Sequence, residues 1–193
     1  MTRPDYEKGG FYHIYNRGRS RLSIFHQPQD YLEVLALMWE YGRKFSLQIL
    51  AYCLLPNHYH FLVRQDDTAR ASLLPQRIFN SYSKKYNLRY QHSGTIFQGR
   101  ARAKPVYNEF YLLHLCRYIH ANPVLHGLVQ TLDEWPYSNY FEWIGERNGR
   151  LQDRTFIQQH FPNPTDYQRF VEDYLASRQA PRGFDEWLDM VDD

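Results

Sequence analysis

Cysteine is scarce in this 193-residue chain: Cys53 and Cys116 are the only two, too few for a disulfide framework. An apolar secretory core is also missing from the start, where Met1 to Gly10 is polar and charged, so a cytoplasmic protein is expected. One uncharged stretch, Phe45 to Val63, approaches membrane-spanning length. It is interrupted by Gln48, Pro56, Asn57, His58 and His60, so a buried hairpin is the better reading and no membrane partner is expected. There is no internal repeat and no low-complexity tract.

The most informative shortage is of acid. The net charge of +2 hides a division, because residues 1–130 hold 17 Lys+Arg against 8 Asp+Glu (+9) and residues 131–193 hold 6 against 13 (−7). From Ser72 through Asn108 there is no acid at all, while Arg77, Lys84, Lys85, Arg89, Arg100, Arg102 and Lys104 are present. A charge run is usually a solvated face. One this long, interleaved with Phe79, Tyr82, Tyr86, Tyr90 and Phe97, points towards a phosphate backbone and stacked bases. Aromatic residues make up 17% of the chain, most of them fit for a core and its rim and some for stacking.

The patterning predicts strands over 11–15, 45–55, 58–64 and 101–107, and helices over 28–44, 73–86 and 109–121, the last capped by Asn108 and ended by Asn122-Pro123. This β-α-β-β-α-β-α order is that of an α+β, ferredoxin-like (RRM-like) antiparallel sheet with helices packed on one side. A catalytic unit over 1–130 and an acidic C-terminal extension over 131–193 are expected, the latter with helices over 166–177 and 184–190. The extension is expected to fold over the basic body and restrain access to it.

Two short patterns carry chemistry. In the strand His58-Tyr59-His60, alternate residues share a face, with their roots roughly 7 Å apart. Both imidazoles can converge on one metal ion, or serve as a hydrogen-bonded surface pair. Tyr118 and Asn122 lie one helical turn apart on one face. Alone, Tyr118 reads rather as an amphipathic tyrosine at the core margin, and Asn122 equally as a helix terminator.

Pro56-Asn57-His58-Tyr59-His60-Phe61-Leu62-Val63 resembles the metal-binding strand of the HUH single-stranded DNA nucleases and transposases, and Arg117-Tyr118-Ile119-His120-Ala121-Asn122-Pro123-Val124 resembles their catalytic-tyrosine helix. Tyr12 to Gly18, Ala51 to Leu55, Phe97 to Arg100 and Trp135 to Ser138 fall in the same order, so the likeness spans roughly residues 9–145. It is greatest to the single-tyrosine REP-associated transposases, relatives of insertion-sequence transposases that act on hairpin-bearing single strands. The resemblance implies Tyr118 as nucleophile, His58, His60 and Asn122 as ligands of a divalent ion (Mg²⁺ or Mn²⁺), and a 5′-phosphotyrosine intermediate. Tyr59 is bulkier than the usual residue between the histidines and is expected to face the core.

Single-stranded DNA with hairpins is the expected partner, with Arg17, Arg100, Arg102, Lys84 and Lys85 as its contacts; monomer and homodimer both stand. His114 shares a face with Tyr118 and reads as a DNA or metal-neighbour residue, or as a plain surface histidine. His13, His92, His120 and His126 have no evident partner. The chief rival is a non-catalytic single-strand binder on a ferredoxin-like sheet, which leaves His58, His60, Tyr118 and Asn122 unexplained. A water-activating metal phosphoesterase lacks its carboxylates, because no acid lies between Asp67 and Glu109, and a fold with two His-x-Thr motifs is excluded by the single histidine pair.

Overall fold

A computed structural model describes residues 5–180 together with Gly183, Phe184 and Trp187. Strands β1 (Phe11–Arg17), β2 (Leu47–Leu55), β3 (His58–Gln65) and β4 (Arg102–Val106) form one antiparallel sheet in the order β2-β3-β1-β4, the split pattern expected. Helices α1 (Pro28–Phe45) and α2 (Leu73–Arg89) cross between them and pack on one side. There Tyr12, Ile14, Tyr52, Leu54, Tyr59, Phe61 and Val63 meet Val34 and Met38 of α1 and Leu74, Ile78 and Phe79 of α2. Tyr59 faces this core as expected, its ring 4.3 Å from that of Phe79.

The other side is covered too. Helix α3 (Glu109–Leu125) and the short helices α4 (Tyr140–Trp143), α5 (Arg154–His160) and α6 (Pro164–Ser177) build a second core with Leu50, Cys53, Leu55 and Leu62. The residues beyond 130 supply Leu132, Tyr140, Trp143, Phe156, Tyr167 and Val171 to it. The helix expected over 166–177 is α6. The one expected over 184–190 lies outside the described residues apart from Phe184 and Trp187.

Two expectations are corrected. Pro123 does not end α3, which runs on to Leu125. A proline so near the end removes one hydrogen bond, and the last turn is closed instead by the His126 and Leu128 N–H groups on the Asn122 and Pro123 carbonyls. Helix α2 extends to Arg89, whose guanidinium is ion-paired with Asp30 and Glu33 of α1, so the acid-free run is answered across space at that residue.

Strand β2 is an edge strand whose outer backbone groups are occupied. Leu54 N–H donates to Tyr137 O at 2.9 Å, Asn139 N–H to Tyr52 O at 3.3 Å, and Tyr52 N–H to Asn139 Oδ1 at 2.7 Å. Leu54 O accepts from Trp135 Nε1, and Leu50 O from both Asn139 Nδ2 and Trp143 Nε1. The opposite edge, β4, contains Pro105, which an edge position tolerates.

Candidate active site

The register of β1 against β3 and β4 decides which side chains meet. Directly opposed residues share a face, so Tyr15 with His60 and Arg102, and Arg17 with His58, all stand on the side covered by α3. The turn after β1 requires Gly18, because a Cβ there would sit 2.0 Å from Leu22 O. That close approach folds Arg19–Arg21 back beside the Pro56-Asn57 turn, whose Asn57 O accepts from Gly18 N at 2.7 Å.

The rings of His58 and His60 are 5.3 Å apart between centres and nearly perpendicular at 88°. Two imidazoles bound at about 2.1 Å to one ion have ring centres roughly 5 Å apart, so the pair suits a shared cation. His58 Nδ1 is 2.6 Å from Asn57 Oδ1, and His60 Nδ1 is 3.0 Å from Nε2 of the buried His13. Burial first, then the neighbouring His126 and Arg17, hold His58 down to about 3. Burial first, then His13, His58 and His126, hold His60 well below its ordinary value. Both rings are therefore neutral, the form that binds a metal.

Tyr118 reaches the same place from α3, a helix capped by Asn108, which accepts from the Phe110 and Tyr111 N–H groups. Tyr118 is only 8% exposed, and its ring is edge-on to that of His60 at 5.8 Å. Asn122 is fully buried, donates from Nδ2 to Tyr118 O at 2.7 Å, and leaves Oδ1 without a partner among the described residues. Among those residues no three His, Cys, Asp or Glu side chains gather as a metal cage, so a third protein donor to an ion held by His58 and His60 would be of another type. The buried Asn122 Oδ1, an amide oxygen lacking a partner among the described residues, is a donor of that kind, and together with two neutral imidazoles it is chemically suited to a divalent ion.

Beside the histidines opens a cleft of about 710 Å³ lined by Arg17, Arg21, Arg100 and Arg102, with Tyr15, Asn16, Asn57, Gln98 and no carboxylate. Arg17 Nε donates to Gln98 Oε1 at 2.5 Å, and Asn16 Nδ2 to Gly99 O at 3.0 Å, which ties the 97–100 loop to β1. Four guanidiniums without an acid suit a phosphate chain. The expected contacts Arg17, Arg100 and Arg102 are thus brought together. Lys84 and Lys85 are not: they are exposed on α2, on the other side of the sheet, and do not line the cleft.

His126 is the residue that sequence reasoning missed. It lines the cleft with its ring 4.8 Å from that of His58, and its place two helical turns beyond Tyr118, in line with Asn122, was the available signal. His114 is neither at the cleft nor on the surface. It is buried against Phe110, Phe170 and Phe184, because the C-terminal segment covers that stretch of α3.

Comparison with known proteins places the chain in a family. A protein of Haemophilus influenzae that bears the name REP-associated tyrosine transposase is 29% identical over 154 residues, covering 72% of this chain and 84% of that one. The solved structure of a REP-associated tyrosine transposase bound to a REP hairpin shares the fold, with a TM-score of 0.65 at 20% identity over 80% of this chain and 97% of that one. The family described as IS200-like transposase matches residues 8–122, more than half of the sequence and inclusive of His58, His60, Tyr118 and Asn122. The chain therefore belongs to the IS200-like transposase family, whose members are DNA-cleaving and strand-transferring enzymes.

Proposed function

We propose that this protein cuts and rejoins single-stranded DNA next to a hairpin, with Tyr118 as nucleophile. The observation that carries the reading is the edge-on placement of Tyr118 against His60, beside a cleft lined by four arginines and no acid. The hairpin bound to the solved relative supports hairpin DNA as the substrate class. His58, His60 and Asn122 would hold a divalent ion, which when bound draws charge off the phosphate and fixes the line of attack. Imidazole donors favour Mn²⁺, whereas an amide oxygen suits either Mn²⁺ or Mg²⁺.

Arg17, Arg100 and Arg102 hold the strand by its phosphates. Tyr118 loses its phenolic proton as its oxygen bonds to phosphorus, and the bond from phosphorus to the 3′-oxygen breaks. This leaves a 5′-phosphotyrosine and a free 3′-hydroxyl. A second strand's 3′-hydroxyl then attacks the phosphotyrosine and restores the tyrosine, so no bond energy is lost between the two steps. With Mn²⁺ and a labelled hairpin-bearing strand, the wild type should yield a denaturant-stable protein–DNA adduct. Tyr118→Phe should yield none while binding the strand within about threefold of wild type; cutting at the wild-type rate by that variant would rule Tyr118 out as nucleophile.

A further inference from the structure

His13 is fully buried on β1, beneath the metal-site pair, and the mechanism above does not use it. Its Nε2 lies 3.0 Å from Nδ1 of His60, and its other ring nitrogen, Nδ1, has no partner among the described residues. The rings of Tyr15, at 5.0 Å, and Trp187, at 5.9 Å, flank it and fix its plane.

One proton sits between His13 and His60, and metal binding decides whose it is. For His60 to offer Nε2 to an ion, that nitrogen must be bare, so Nδ1 carries the hydrogen and donates it to His13 Nε2. His13 must then carry its own hydrogen on Nδ1, the atom without a partner. The reverse arrangement satisfies the pair just as well but places the His60 proton on Nε2, where it blocks a ligand. A buried polar atom with no partner is destabilising, and an apolar side chain in that space would avoid the cost. His58 is handled in the same way, with Asn57 Oδ1 as the acceptor for its Nδ1 hydrogen at 2.6 Å.

We propose that His13 is a positioning residue whose ring nitrogen accepts the His60 Nδ1 hydrogen, so that His60 presents Nε2 to the metal. This rests on the reading of His58 and His60 as metal ligands. Two consequences separate it from a role in packing. An acceptor placed where Nε2 sits should substitute for the ring, and a glutamine amide oxygen reaches that position. A leucine fills similar space without accepting.

The test uses the full chain, free of DNA. Calorimetric titration with Mn²⁺ should show His13→Leu binding 10- to 100-fold more weakly than wild type, the range that loss of such a partner gives. His13→Gln should bind within about fivefold of wild type. Wild-type affinity in His13→Leu, or a folded His13→Gln as weak as the leucine variant, would overturn the assignment. Should His13→Leu fail to fold, long-range ¹H–¹⁵N spectra of the wild-type protein saturated with diamagnetic Mg²⁺ decide the matter. They should show the hydrogen on Nδ1 in His60, and His60 protonated at Nε2 would overturn it. A wild-type protein that takes up no Mn²⁺ would instead overturn the metal reading itself.

Discussion

The Nε2 of His120 lies 2.8 Å from the Oδ1 of Asn139, both fully buried, so the helix that carries Tyr118 is bonded through one side chain to the edge of the sheet. His120 donates there, and its Nδ1 accepts from the Tyr167 hydroxyl of α6. The same Asn139 accepts from Tyr52 N–H and donates to Leu50 O. Asn139→Ala would leave two buried groups, the Tyr52 N–H and His120 Nε2, without a partner and would take one of two donors from Leu50 O. At about 1–3 kcal/mol for each orphaned group, it should lower the unfolding free energy by roughly 2–6 kcal/mol, measured by urea denaturation. A loss under about 1 kcal/mol would mean that the network does not anchor the helix.

Acid should weaken the fold in a defined window. Burial is the first cause that holds His13 to about 3 and His120 to about 4, and it holds His60 well below its ordinary value. The folded state thus favours neutral rings, whereas the unfolded chain takes up their protons near pH 6.5. Stability is complete above about pH 6.5, falls as the pH drops towards 4, and levels off once the folded-state values are passed. His120 alone should contribute on the order of 3 kcal/mol to that fall. Urea midpoints of the metal-free protein that stay equal at pH 7 and pH 4.5 would contradict this.

Charge at the cleft and charge on α2 should behave differently. Removing Arg100 or Arg102, which line the cleft, should weaken single-strand binding several-fold and lower the salt dependence by about 0.7 for each phosphate no longer neutralised. Lys84→Ala and Lys85→Ala, on the opposite side of the sheet, should leave a short strand's affinity and salt slope unchanged. Fluorescence anisotropy across a salt series distinguishes them, and equal losses from both sets would relocate the strand.

Cutting the chain after residue 130 should unfold it. The removed residues include Trp143 and Tyr167, which pack fully buried against the side of the sheet that bears α3. Losing that layer exposes Leu50, Leu62, Leu115 and Ile119, and a truncated chain should show no cooperative thermal transition. Cooperative melting with unchanged midpoint would show that the acidic segment is only a cover, as its charge suggests.

Strand alternation and helical spacing made much of this arrangement legible in the sequence. Period two put His58 and His60 on one face, and four-residue spacing lined Tyr118 up with Asn122. The second core was not legible, and α3 shows why. From His114 to Pro123 every residue of that helix is buried, polar ones included, because it is sandwiched between the sheet and the C-terminal segment. A helix covered all round shows no apolar stripe to read. The lysines of α2 misled for a related reason: an acid-free run in sequence says nothing about which side of a sheet each cation will occupy. The Trp135-Pro136-Tyr137-Ser138 segment has no periodicity at all, because it works through single hydrogen bonds to one strand.

That segment also limits how this protein can assemble. A sheet grows by offering a row of unsatisfied backbone groups to another extended chain, whether a passing peptide, an unfolded neighbour or a second copy. Along the outer side of β2 that invitation is withdrawn from Leu50 to Leu54. At the far edge, the short β4 offers a row broken by a residue with no hydrogen to give. Pairs of this protein, where they form, therefore do not continue the sheet through Leu50–Leu54 of β2, and crowded or stressed conditions find no template along that stretch for fibre-like stacking.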